Sequence, residues 1–158
     1  MITKDNKVLE ENNLKNKIIR IIVILAILVV ILDQASKVLV NNIFQETWGN
    51  DYFKIEIATN TGMAFGFNDG NVKNIFLTCA VLGIIISFIR KQVEQIDTKT
   101  AVVLGMILGG GFGNLIDRVI YVNGEPRGVI DFLHFYIDAI NFDWPVFNVA
   151  DMLLVVGT

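Results

Sequence analysis

A run of apolar residues from Ile18 to Leu32, continuing past Asp33-Gln34-Ala35-Ser36-Lys37 into Val38-Leu39-Val40, constrains this chain more than any other feature. As a helix its 23 residues rise roughly 35 Å, enough to cross a hydrocarbon core of about 30 Å. A removable secretory signal is disfavoured, because the run is too long and no small-x-small cleavage pattern follows it. Further runs extend from about Asn74 to Ile89 and from about Thr100 to Ile116, and a fourth begins at Pro145 and is still apolar at Thr158. From Val146 this last run holds 13 residues, about 20 Å of helix, so the fourth span is expected to be incomplete. Composition agrees, since 53% hydrophobic residues, 18% charged residues and a mean hydropathy of +0.55 are too apolar for a soluble domain of this size. The expected fold is an all-α polytopic membrane protein, one unit over 1–158, with spans at about 18–40, 74–89, 100–117 and 145–158.

The basic residues orient the spans. Lys4, Lys7, Lys15, Lys17 and Arg20 lie before or at the start of the first span, and Arg90, Lys91 and Lys99 lie in the ten-residue link 90–99. The longer segments 41–73 and 118–144 hold only Lys54 and Lys73, and Arg118 and Arg127. The positive-inside rule therefore places the N-terminal tail 1–17 and the 90–99 link in the cytoplasm and both long loops outside. The first outer loop contains Phe53-Lys54-Ile55-Glu56-Ile57, whose period-two alternation reads as a short strand, followed by Asn60-Thr61-Gly62-Met63-Ala64-Phe65-Gly66. The second turns at Asn123-Gly124-Glu125-Pro126 and resumes with Gly128-Val129-Ile130-Asp131-Phe132.

Composition also removes several chemistries. A net charge of −3 offers no basic surface for nucleic acid. One cysteine (Cys79) and one histidine (His134) exclude a disulfide within the chain, thiolate zinc clusters and His-rich metal sites. Ser36 and Ser87 are the only serines, and Ser36 and Lys37, adjacent in sequence, lie about 100° apart around a helix, which disfavours a serine/lysine peptidase.

Carboxylates remain, and they are concentrated. Asp33 and Lys37 fall near the outer end of the first span, Asn114 and Asp117 at that of the third, and Asn148 and Asp151 at the outer start of the fourth. Each pair has the spacing that shares a helix face, and ionisable groups at membrane depth are functional candidates. Asp33 with Lys37 also reads as a self-neutralising ion pair, and Asp117 beside Arg118 as an interfacial anchor. Asp151 has no basic neighbour in sequence and points more strongly to function. Asp131 lies outside the spans, flanked by residues apolar enough to reach the membrane surface. Two aspartates held close keep one proton between them, and such a pair activates water and protonates a leaving group without metal or serine. Either Asp117 or Asp131 suits the second position on this reading. Mg²⁺-dependent hydrolysis and proton-coupled transport are the alternatives. The run Gly109-Gly110-Gly111-Phe112-Gly113 reads as a close helix-packing surface.

Five ordered blocks then stand out: Asp33-Gln34-Ala35-Ser36-Lys37, Asn60-Thr61-Gly62-Met63-Ala64-Phe65, Gly113-Asn114-Leu115-Ile116-Asp117-Arg118, Val129-Ile130-Asp131-Phe132 and Phe147-Asn148-Val149-Ala150-Asp151. In that order they resemble the blocks of the lipoprotein signal peptidase (signal peptidase II) family, from about residue 18 to the end. The resemblance implies a four-helix bundle of the bacterial inner membrane with a small extracytoplasmic β element. It also implies a monomeric aspartyl endopeptidase, without metal or cofactor, that cuts diacylglyceryl-prolipoproteins just before the lipidated cysteine. Carried onto this chain, it makes Asp131 and Asp151 the catalytic pair and relegates Asp117 to support. Asn60, Gly62, Asn114, Arg118 and Asn148 are then expected to line the site, with Asp33 and Lys37 supporting it and membrane lipid around it. The interval from Arg118 to Asp131 looks longer than the family's usual turn.

Overall fold

The computed structural model describes residues 4–44, 46–62, 71–122 and 125–157. Residues 63–66 of the first outer-loop motif and Asn123-Gly124 of the expected turn lie outside the described residues. Among the described residues are four α-helices, α1 (Lys4–Ile43), α2 (Asn71–Gln92), α3 (Thr98–Val119) and α4 (Val149–Gly157). The strands are β1 (Trp48–Gly49), β2 (Phe53–Asn60), β3 (Tyr121–Val122), β4 (Glu125–Pro126), β5 (Val129–Ile137) and β6 (Phe142–Asp143).

The chain is a membrane protein. α1, α2 and α3 are each long and apolar enough to cross a bilayer. Their apolar side chains also face outward: Ile27 is 54% exposed and Ile84 69%, which water would penalise and lipid does not. Helix α1 continues at both ends beyond the apolar run, so the charged tail from Lys4 is helical rather than a separate segment.

Helix α3 is the hub, packed against α1, α2 and α4. Its start is fixed by Asp97, whose carboxylate accepts from the Thr100 amide at 2.8 Å. Ile18, Ile22, Leu82, Ala101, Leu104 and Leu108 form the core of the bundle. The glycine run performs the packing its composition suggested. A Cβ at Gly109 would lie 2.5 Å from Val29 Cβ, and one at Gly110 would lie 2.8 Å from both the Ala150 carbonyl oxygen and Leu154 Cγ. In lipid, such close backbone approach replaces the hydrophobic drive that is absent there. Gly110→Val is accordingly expected to push α4 off α3, costing about 1–3 kcal/mol and lowering both Tm and activity.

Outside the bundle, β1, β2, β5 and β6 form an antiparallel sheet in that order, and β3 pairs with β4. The strand read at Phe53–Ile57 extends to Asn60 through a one-residue register shift between Ile55 and Ala58, after which Ala58 faces Asp131 and Asn60 faces Val129. Gly128, at φ +76°, admits β2 to within reach: a Cβ there would lie 2.9 Å from the Asn60 carbonyl oxygen. The β3–β4 pair absorbs the long Arg118–Asp131 interval.

One boundary needs correction. The fourth span was expected from Pro145, but α4 begins at Val149. Residues 144–147 instead run along β5, with the Trp144 amide donating to the Phe135 carbonyl and Phe147 exchanging backbone hydrogen bonds with Leu133. Pro145 has no amide to give a helix, and the strand-like bonds hold the chain extended until Asn148. Asn148 therefore precedes the helix instead of sharing a face with Asp151 inside it.

Candidate active site

The start of α4 is built by Asn148 and Asp151. The Asn148 carboxamide oxygen accepts from the Asp151 amide at 2.9 Å, while an Asp151 carboxylate oxygen accepts from the Asn148 amide at 3.3 Å. This is a reciprocal cap, with Asp in the position where Glu or Gln is usual. It fixes Asp151 at the helix N-terminus, where the backbone dipole favours negative charge. Because the Asn148 oxygen is engaged by the cap, its NH₂ points the other way, donating to Asp131 at 2.6 Å and to the Asn114 carboxamide oxygen at 3.0 Å.

Asp131 and Asp151 thus share Asn148. Asp131 also accepts from the Asn60 NH₂ at 3.2 Å, and Asp151 from the Asn114 NH₂ at 2.8 Å, so every carboxylate oxygen of the pair has an N–H donor. Asn60 is oriented by the Gly62 amide, which donates to its oxygen at 3.0 Å, and Gly62 is held by Arg118 Nη2, which donates to its carbonyl at 2.8 Å. Burial, first, and the neighbouring Asp151 charge, second, push the Asp131 carboxyl up to about 6, against the Asn60 and Asn148 hydrogen bonds and the Lys37 charge.

Beneath the pair lies a buried ionic layer. Lys37 Nζ is 2.7 Å from both an Asp33 and an Asp117 carboxylate oxygen and donates to the Asn114 oxygen at 3.2 Å. Lys37 is 2% exposed, and Asp33 and Asp117 are fully buried. Asp33 also accepts from the Ala150 amide at 3.1 Å, tying α1 to the first turn of α4. Asp117 pairs with Arg127 and accepts from Gln34 at 3.3 Å and from the Ile130 amide at 3.4 Å. The carboxylate that competed with Asp131 on sequence is therefore occupied by structural partners. Gln34 and Arg127 were not apparent as site residues. Arg127 had one signal, being the sole basic residue between Arg118 and the fourth run.

A cavity of about 490 Å³ opens beside the pair, lined at its polar end by Asn60, Asn114, Arg118, Asp131 and Asp151. Leu77, Val81 and Ile85 of α2 and Leu154 and Val155 of α4 form its apolar walls, with α3 as floor. Gly62, Asn148, Asp33, Lys37 and Asp117 stand around the pair through the bonds already described. His134 lies apart from this cavity, with Glu56 and Asp143 each 2.6 Å from one of its ring nitrogens. Cys79 is exposed on α2.

Comparison with known proteins gives the arrangement a family. Residues 25–158 match the signal peptidase (SPase) II family. The chain is 33% identical over 143 residues to the lipoprotein signal peptidase of Maridesulfovibrio salexigens, covering 85% of this chain and 87% of that one. It is 36% identical over 142 residues to the lipoprotein signal peptidase of Cupriavidus necator, covering 84% and 75%. A solved bacterial membrane enzyme superposes with a TM-score of 0.71 at 27% identity, covering 86% of this chain and 81% of that chain, and a second with a TM-score of 0.68 at the same identity. A helical membrane bundle carrying two aspartates in a ring of asparagines, with this much sequence in common, belongs to the signal peptidase II family.

Proposed function

We propose that the protein is an aspartyl endopeptidase in which Asp131 and Asp151 share one proton and cut bacterial prolipoproteins immediately before the diacylglyceryl-modified cysteine. The observation that carries this reading is the donor ring. Three carboxamides and the Asn148 amide each aim N–H at the two carboxylates. That donor set suits carboxylates working through a shared proton, because a divalent cation would have to displace N–H groups that repel it.

In the proposed cycle Asp151, held at the helix N-terminus, takes a proton from a bound water as its oxygen attacks the scissile carbonyl. Asp131 gives its proton to the carbonyl oxygen. Collapse of the tetrahedral intermediate breaks the C–N bond, passes a proton to the leaving nitrogen and returns the pair to its singly protonated state. The apolar walls between α2 and α4 suit a signal helix entering from the bilayer, with its scissile bond brought to the polar end. Family membership supports the bacterial inner membrane as its location, and the basic flanks support a cytoplasmic N-terminus with the site near the outer face. One chain supplies every group this chemistry uses, which is compatible with a monomer among membrane lipids.

A lipidated prolipoprotein peptide offered beside its unlipidated twin tests the reading. The first is expected to be cut before the cysteine and the second at least about tenfold more slowly, since remote binding energy from the lipid positions the bond. Equal rates, or a cut elsewhere, overturn it. The pH profile supplies an independent check. With Asp131 pushed up to about 6, the shared proton is lost on the basic side at or above that value rather than near 4. Asn60 favours the ionised form of Asp131, so Asn60→Ala is expected to move the basic limb of kcat/KM to higher pH.

A further inference from the structure

Lys37 does not touch the proposed catalytic pair, yet its contacts determine how one of the pair is held. A carboxamide presents either N–H or C=O toward a neighbour, and the two ends differ by a half-turn. At Asn60 and Asn148 a backbone amide settles the choice by donating to the oxygen. Among the described residues, no backbone amide donates to the Asn114 oxygen. That oxygen instead accepts from Lys37 Nζ at 3.2 Å and from the Asn148 NH₂ at 3.0 Å, which turns its own NH₂ onto Asp151 at 2.8 Å. The ammonium is a donor without an acceptor face, so it stabilises only one orientation. Its three protons are matched by Asp33, Asp117 and Asn114, which leaves it no alternative arrangement.

Resting on the assignment of Asp131 and Asp151 as the working pair, we infer that Lys37 is a positioning residue, acting through Asn114 to keep an N–H donor on Asp151 and so fix the protonation pattern of the pair. Without the ammonium, only the Asn148 NH₂ still holds the Asn114 oxygen, and orientations that turn the carbonyl toward Asp151 become populated. A carbonyl opposite that carboxylate favours its protonated form and removes the base that accepts the proton from water. The charged groups around this path are Asp33 on α1, Asp117 and Arg118 on α3, Asp131 on β5 and Arg127 before it.

Removing Lys37 alone leaves the buried Asp33 carboxylate without its cation, whereas Asp117 keeps Arg127, so the informative variant is Asp33→Asn/Lys37→Met. It balances the charge and keeps an oxygen for the Ala150 amide, and its reference is Asp33→Asn alone. Relative to that reference we expect kcat to fall about tenfold or more with KM within about twofold, and the acid limb of the activity profile to move up by about one pH unit. The limb position does not depend on how much of the sample is folded. Lys37→Gln, which keeps the volume and one donor, is expected to shift it less in the same direction. In an Asn114→Ala background the Lys37 change is expected to shift it by less, because only the direct effect of the ammonium charge on the pair remains. An unmoved limb in both Lys37 variants, or an undiminished shift in the Asn114→Ala background, overturns the inference. Asp131→Asn and Asp151→Asn are assayed beside these. If either stays active, the catalytic assignment itself fails, whereas silence in both with an unmoved limb rejects only the role of Lys37.

Discussion

Asp131→Asn and Asp151→Asn are each expected to reduce cleavage of a lipidated prolipoprotein peptide by at least about 10³-fold while leaving a folded membrane protein. The substitution is isosteric and keeps one acceptor oxygen for the asparagine donors, so little packing is lost. Folding is expected to survive both substitutions. Asp131 pays for its burial whenever it ionises, which is why its carboxyl is pushed up to about 6. In the unfolded chain it ionises near 3.8, so the native state loses stability as pH rises from there through about 6. Asp131→Asn removes that loss, and its Tm at neutral pH is expected to equal or exceed wild type. Asp151→Asn keeps an acceptor oxygen for the Asn148 amide and is likewise expected to retain a cooperative melting transition. Inactivity together with a retained melting transition marks a catalytic group; inactivity with a lost transition marks a structural one.

Asp117→Ala is the expected structural counterpart. It leaves Lys37 with one carboxylate and Arg127 without its buried partner, removes the side-chain acceptor of the Ile130 amide, and takes one of three acceptors from Gln34. Breaking a buried ionic network from one side costs roughly 3–5 kcal/mol. The variant is expected to yield little folded protein in detergent, measured as the monodisperse fraction and Tm. Asp117→Asn, which keeps an oxygen and the volume, is expected to recover much of it. Normal folding of Asp117→Ala with lost cleavage would return this residue to the catalytic role that its sequence position also allowed.

Much of this arrangement was legible because lipid enforces a simple rule: a spanning segment is long and apolar, and a charge inside it needs a reason. The spans, the Asp33–Lys37 spacing and the glycine packing surface all follow from local pattern. What was not legible depends on the chain folding back on itself. Val129–Ile137 has no alternation, because Val129, Ile130, Asp131 and Phe132 are all buried, and a strand covered on both faces reads as a continuous apolar run. Residues 145–148 look like the start of a helix, yet their backbone bonds go to β5. The Asn-x-x-Asp spacing at 148–151 fits both a cap and a shared helix face, and the structure makes it a cap. Gln34 meets Asp117 across 83 residues of sequence, a contact that no local pattern encodes.

The most direct test of the central claim is the time course of cleavage of a lipidated prolipoprotein peptide by the purified chain in excess EDTA, with products weighed by mass spectrometry and both aspartate variants run in the same detergent. The expected result is full wild-type activity under chelation, a single cut before the lipidated cysteine, and no product from Asp131→Asn or Asp151→Asn. Loss of wild-type cleavage on chelation, or substantial product from either variant, contradicts an aspartate pair working through a shared proton.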